Sequence, residues 1–176
     1  LTVTRVRVEA QTEAASSALA AATARAWIAS DAPRLLIGLR GDLGAGKTTW
    51  ARGMLAGLGH SGRVPSPTYT LLEHYPLPSV DFVHIDLYRL GGQTGDIEAR
   101  GELDALGLRE WLAQPRCWVV VEWPERSAEL LARCDLLITL APGDRADSRT
   151  IAFEGQTPVG ARLLECLRDD SKSTSS

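Results

Sequence analysis

The sequence predicts an α/β fold of P-loop type, a layered structure with a largely parallel central sheet flanked by helices. Three observations carry this. Apolar, β-rich runs alternate with helix-forming segments along the chain, the order that yields strand–helix–strand crossovers. Cys117 to Val121 is five apolar residues in succession, the pattern of a strand buried on both faces. A glycine-rich stretch, GDLGAGKTT, follows one apolar run directly and opens onto a helical segment.

The elements follow in order. Val3, Val6 and Val8 lie in a β-rich opening that predicts a first strand. Thr12 and Glu13 read as a helix start, and the alanine-rich run Ala14 to Ser30 as the helix, ended by Pro33. Leu35 to Leu39 is a short apolar strand, and a second helix runs from about Lys47 to Leu58, with Gly57 and Gly59 marking its end. RVPSPTYTLLEHYP begins as a loop, because two prolines flank Ser66, and continues as an extended strand. Asp81 to Leu87 is the next strand. The connection GGQTGDIEARGE leads to a short helix around Leu103 to Ala113, and Cys117 to Val121 follows as the buried strand. Asp135 to Leu140 and Thr150 to Phe153 are two further strands, and Pro158 to Arg168 a closing helix. The polar tail 169–176 is expected to be disordered, leaving 1–168 as one domain.

Bulk properties exclude several classes. In 176 residues, 44% hydrophobic and 23% charged, there is enough chain for a sizeable core. A net charge of −3 provides no global basic field, so tight direct binding to DNA or RNA is not expected, nor binding to an anionic membrane. Three cysteines, Cys117, Cys134 and Cys166, are far apart and form no C-x-x-C pair. That spacing points to reduced thiols, read as small buried hydrophobes rather than zinc ligands. No apolar run approaches the roughly 18 residues of a membrane helix, and the opening alternates like a strand instead of having a signal peptide's layout. The cytoplasm is the expected compartment.

Gly41 to Thr48 matches G-x-x-x-x-G-K-[ST] at every fixed position. Glycines let the backbone curl so that successive N–H groups point at phosphate oxygens, and the following helix adds its positive N-terminal end. Lys47 supplies a full charge for the outer phosphates, and the Thr48 hydroxyl is placed to ligate Mg²⁺. An apolar strand before the loop and a helix after it are the context the motif demands. No N-K-x-D loop occurs late in the chain, which favours ATP over GTP.

Such a site needs an acid to hold Mg²⁺ and order its waters. Two acids end apolar strands: Asp86 in VHID and Glu122 in WVVVE. Ligands of open α/β sheets bind beyond the carboxyl ends of the strands, so both acids are expected to face the crevice of the glycine-rich loop. Trp123 follows Glu122; it reads as core, or, beside a nucleotide, as a ring that could stack on a base. His84 shares a strand face with Asp86 and reads as a buried, satisfied histidine.

Four stretches therefore stand in order: GDLGAGKTT, SPTYTLLEHY, HIDLYRL and VVVEWPER. From about Thr12 to about Phe153 the chain resembles the small bacterial P-loop ATPases of the TsaE family, which act in making threonylcarbamoyladenosine on tRNA. The resemblance implies that Gly44, Ala45, Gly46, Lys47, Thr48 and Thr49 embrace the ATP phosphates. It implies that Ser66, Pro67 and Thr68 form a switch-like loop sensing the γ-phosphate, with Thr68 foremost. Glu122 would hold Mg²⁺ or order water, Asp86 would support the metal directly or through water, and Trp123 would pack near the adenine. Glu13 aligns with a region near the nucleotide, while Arg145 and Arg149 are candidates for contact with nucleotide or partner. Tyr88 and Arg89 fall to the partner face or the site wall. The chain departs from the family pattern in GGQTGDIEAR, longer and richer in glycine than the usual brief acidic linker, where a flexible surface loop is expected.

The activity implied is ATP hydrolysis by an accessory protein, slow alone and stimulated by a partner complex of TsaB and TsaD, with tRNA met only indirectly. Two other functions share the same loop: a small P-loop kinase acting on a metabolite, with 91–101 as its lid, and a nucleotide-dependent binding module with negligible hydrolysis.

Overall fold

A computed structural model of the chain describes residues 4–91, 101 and 103–173. Seven strands form one sheet: β1 (Thr4–Ala10), β2 (Arg34–Arg40), β3 (Leu72–Pro76), β4 (Asp81–Asp86), β5 (Cys117–Glu122), β6 (Leu136–Pro142) and β7 (Arg149–Gly155), in the spatial order β1-β7-β6-β2-β5-β4-β3. The central strands β6, β2, β5 and β4 are mutually parallel. The flanks are not: β1 pairs antiparallel with β7, β7 with β6, and β3 with β4. These are the connections that lack a crossover helix of the length a parallel return needs, or that join distant ends of the chain. All six residues of β5 are buried, Cys117 to Val121 as the unbroken apolar run predicts and Glu122 with them.

Helix α1 (Glu13–Ala29) starts where Thr12 caps it, the hydroxyl accepting from the Ala15 amide at 3.0 Å, with Glu13 favourably placed in the first turn. It packs on α2 (Lys47–Gly57), and both cover one sheet face together with α5 (Pro158–Ser173). Trp27, Trp50, Trp118 and Phe153 meet there edge to face, each pair adding about 0.5–1.5 kcal/mol beyond its area burial. On the opposite face Leu36, Val83, Ile85, Val119 and Val121 pack with Leu108 of α3 (Leu108–Ala113) and Leu130 of α4 (Ala128–Arg133). No helix among the described residues is long and apolar enough to cross a membrane.

Several expectations change in detail. The helix around Leu103 to Ala113 is broken at Gly107, whose φ of +69° takes it out of the helical region. α4 was not foreseen; its six residues are too few for a clear periodicity. α5 runs to Ser173, past the expected end at Arg168, because no glycine or proline after Gly160 stops it. The expected flexible loop or lid at 91–101 lies almost wholly outside the described residues. Gly57 does more than end α2: a β-carbon there would run into the Ala21 backbone of α1, so the helices approach as closely as they do because it has none. Cys117 and Cys134 are buried free thiols and Cys166 is half-buried. Burial pushes the first two up to about 11 and about 12, which disfavours the reactive thiolate.

Candidate functional site

The loop between β2 and α2 sits at the carboxyl end of the parallel strands. Gly44 and Gly46 have φ of +78° and +101°, a backbone region costly to any residue with a β-carbon. Gly46 is also the N-cap of α2 and offers no side chain to the first turn. The amides of Lys47, Thr48 and Thr49 therefore keep the open donors of a helix start, an arrangement that suits an anion. The first intrahelical bond is Trp50 N–H to Gly46 O at 2.8 Å.

Lys47 is 4% exposed. Its ammonium donates to the carbonyls of Gly41 and Asp42 at 2.6 and 2.9 Å and lies 3.8 Å from the centre of the Trp123 ring. Burial lowers its pKa, while the nearby Glu122 and Asp86 carboxylates oppose that shift. The two carbonyls and the indole face are the groups that receive the ammonium in this buried place.

Both strand-end acids reach this cleft. Asp86 and Glu122 are direct register partners on β4 and β5, and each is 3% exposed. Glu122 Oε1 accepts from Thr48 Oγ1 at 2.8 Å and lies 2.9 Å from His84 Nε2. Asp86 Oδ2 accepts from Thr68 Oγ1 at 2.6 Å, and its Oδ1 from the Tyr88 amide at 2.9 Å. Since the only Thr68 hydroxyl proton is spent on Asp86, the Ser66 hydroxyl 2.9 Å away is the donor to Thr68. Ser66, Thr68 and Asp86 form one relay. Pro67 between them is buried, and its carbonyl accepts from the Leu71 amide at 2.7 Å, closing the loop back on itself.

A cleft of about 290 Å³ joins these groups; Gly44, Gly46, Lys47, Thr48, Thr49, Ser66, Thr68, Asp86, Glu122 and Trp123 line it, with Leu43 and Tyr88 at its walls. Ala45 is buried in the loop beneath. Glu13 lies at the loop's other side, its carboxylate 3.3 Å from Thr49 Oγ1. Arg149 donates to the Ala45 carbonyl at 3.2 Å and so props the loop from outside; Arg145 reaches Gln11 at 3.5 Å. Arg89 stacks on the exposed Tyr69 ring, 5.6 Å from its centre.

Trp123 lines the cleft beside Lys47. Its φ of +59° is unusual for a residue with a β-carbon, and this turn lays the indole over the Lys47 ammonium and 5.2 Å from the Tyr88 ring. What the ring faces is the end of the cleft where the lysine charge sits. With the ammonium buried and the indole half-buried, a cation–π contact of this kind contributes about 0.5–2 kcal/mol. Leu43 and His84 are the lining or supporting residues that sequence reasoning left without a functional role, while Tyr88, given to the partner face or the site wall, lines the cleft. For His84 the signal was present, namely its place two residues before Asp86 on one strand face.

Among the described residues no group of three or more His, Cys, Asp or Glu side chains is arranged to hold a metal ion. A Mg²⁺ bound with a triphosphate needs less than that: one hydroxyl, one or two carboxylates, and otherwise water and phosphate oxygens. Thr48 with Glu122 and Asp86 is a donor set of that kind. Donation to Glu122 uses the one Thr48 hydroxyl proton and leaves an oxygen lone pair for a cation.

The family model for "Threonylcarbamoyl adenosine biosynthesis protein TsaE" matches residues 6–151. A relative from Haemophilus influenzae named tRNA threonylcarbamoyladenosine biosynthesis protein TsaE is 40% identical over 133 residues, 76% of this chain and 78% of that protein. A relative of the same name from Bacillus subtilis is 37% identical over 132 residues, 74% of this chain and 73% of its own. Among solved structures, that of Bacillus subtilis YdiB superposes with a TM-score of 0.70 at 27% identity, covering 97% of this chain and 99% of the other.

Proposed function

This chain belongs to the TsaE family, and on that premise we propose that its ATP serves as a timing signal for threonylcarbamoyladenosine formation on tRNA rather than as a phosphate donor. Membership brings ATP binding, P-loop ATPase activity and a role in tRNA threonylcarbamoyladenosine biosynthesis. One observation supports the residue-level reading. The glycine-rich loop, the Ser66–Thr68 relay and both strand-end acids meet in a single cleft.

In this reading the amides of Gly44 to Thr49 and the Lys47 ammonium hold the triphosphate. Bound Mg²⁺ supplies neutralisation of the phosphate charge. Thr48, Glu122 and Asp86 are the residues that would hold it, directly or through water. Glu122 orients the attacking water. Trp123 holds the Lys47 ammonium in place, a role its position supports better than stacking on adenine. Glu13 flanks the nucleotide through Thr49. The γ-phosphate presents oxygens that the Ser66 and Thr68 hydroxyls can bond in place of Asp86. The 66–68 loop then has two arrangements, one set by the relay to Asp86 and one by phosphate, and hydrolysis returns it to the first.

No arginine lines the cleft among the described residues, so hydrolysis by the chain alone is slow and a partner raises it. The partner is a TsaB–TsaD type complex that carries the transfer chemistry, and tRNA is met through it. Reconstitution of the tRNA modification tests this, with the chain present, absent, or carrying Lys47→Ala. Repeated turnover is expected only with the unaltered chain. Equal modification in all three samples would overturn the assignment.

A further inference from the structure

His84 occupies a position where stability alone favours a hydrocarbon. It is fully buried on the sheet face it shares with Phe82, Trp118 and Val120, all apolar and fully buried. Its Nδ1 has no hydrogen-bonding partner among the described residues. An uncompensated polar nitrogen in such surroundings costs about 1–3 kcal/mol. Among the described residues the one polar contact of the ring is Nε2 to Glu122 Oε1 at 2.9 Å.

That contact decides the tautomer. Glu122 is acceptor only when ionised, so the proton of a neutral imidazole lies on Nε2 and the bare nitrogen is Nδ1. A buried acceptor without a partner is tolerated more readily than an orphaned N–H donor. Glu122 Oε1 then takes two hydrogen bonds, from Thr48 Oγ1 and from His84, while Oε2 takes none from the described residues. Two donors from different elements, α2 and β4, fix the carboxylate plane, and Oε2 is left for the chemistry.

We infer that His84 is a positioning residue for ATP hydrolysis: it holds Glu122 by one oxygen so that the other is presented in a fixed direction to water or a bound cation. This rests on the reading of Glu122 as the water-ordering or cation-holding acid. The Thr48 donor sits in the first turn of α2, where its hydroxyl also lines the cleft. His84 lies inside the sheet and does not line the cleft. The carboxylate therefore keeps one anchor that takes no part in holding phosphate or cation.

The test compares His84→Leu, which suits the apolar face, with His84→Gln, whose side-chain N–H can reach where Nε2 lies. Phosphate release in a single turnover, with partner complex present, is expected to fall by about 10–100-fold in His84→Leu, the range for a lost support of a metal-site ligand. His84→Gln is expected to recover most of it. ATP affinity should change less than about 3-fold in both, giving a loss in kcat with KM kept. Release at the unaltered rate in His84→Leu overturns the inference, as does equal loss in both variants. A second readout needs no hydrolysis. In ¹⁵N-histidine protein, which contains three histidines, the resonance missing from His84→Gln identifies His84. It should show the proton on Nε2 and shift in Glu122→Gln. A proton on Nδ1 overturns the inference even in a chain that hydrolyses nothing. Absence of release by the unaltered chain with partners would instead count against the ATPase reading.

Discussion

Thr68 offers the sharpest perturbation, because its one hydroxyl proton holds a loop to a buried charge. The Thr68–Asp86 bond is short, at 2.6 Å, and charge-assisted, and Asp86 is 3% exposed. Hydrogen bonds to charged groups contribute about 1.5–3 kcal/mol. Thr68→Val keeps the side-chain shape and removes only the hydroxyl. Asp86 then keeps the Tyr88 amide and loses its shortest donor, and Ser66 loses its acceptor in the relay. For a domain of this size each kcal/mol moves the Tm by about 2–4 °C, so the expected fall is about 3–12 °C. Thr68→Ser retains the hydroxyl and is expected to lose about 1 kcal/mol or less, the methyl alone. Thermal unfolding followed by circular dichroism measures both. In the presence of Mg²⁺ and a non-hydrolysable ATP analogue, Thr68→Val should also protect the backbone amides of residues 66 and 68 from hydrogen exchange less than the unaltered chain does, residue 67 being a proline without one. A Thr68→Val protein melting within about 1 °C of the unaltered one would refute the energetic account of the relay.

Two further outcomes follow from packing and burial. Gly57→Ala gains about 1 kcal/mol of helix propensity, but its β-carbon would lie 2.7 Å from Ala21 Cα and 2.9 Å from Ala21 C. Backbone cannot yield as a side chain tip does, so overpacking wins and the net loss is about 1–2 kcal/mol. A denaturant midpoint equal to or above that of the unaltered chain would contradict this. Cys117 and Cys134, raised to about 11 and about 12, carry roughly 0.1% and 0.01% thiolate at pH 8. A thiol-reactive disulfide reagent should label half-buried Cys166 first, and raising the pH toward these values should speed the other two as thiolate appears. Labelling of Cys117 or Cys134 at the rate of Cys166 in the folded protein would show that the burial account is wrong.

Much of this molecule was legible along the chain because its signals are local. Alternation of valines marks β1, an alanine-rich run behind Thr12 marks α1, and the unbroken Cys117–Val121 run marks the central strand. The GDLGAGKTT spacing marked the loop, since backbone curl and helix start lie within nine residues. Asp86 and Glu122 were found by a rule of topology, that ligands sit beyond the carboxyl ends of parallel strands, and they are register partners. What depended on contacts across long sequence separations was not legible. The antiparallel flanks follow from which strands neighbour which, and no single segment encodes that. Trp123 could be core, base-stacking or lysine-facing until its backbone turned to φ +59° and set the ring over an ammonium 76 residues earlier in the chain. His84 looked like a satisfied core histidine until β4 and β5 aligned and its one hydrogen-bonding partner among the described residues proved to be Glu122. Sequence by itself singled out the residues expected to bind a triphosphate, since a motif is a property of neighbours. Only the tertiary structure decided how they hold one another, because hydrogen bonds and cation–π contacts depend on distances that folding alone creates.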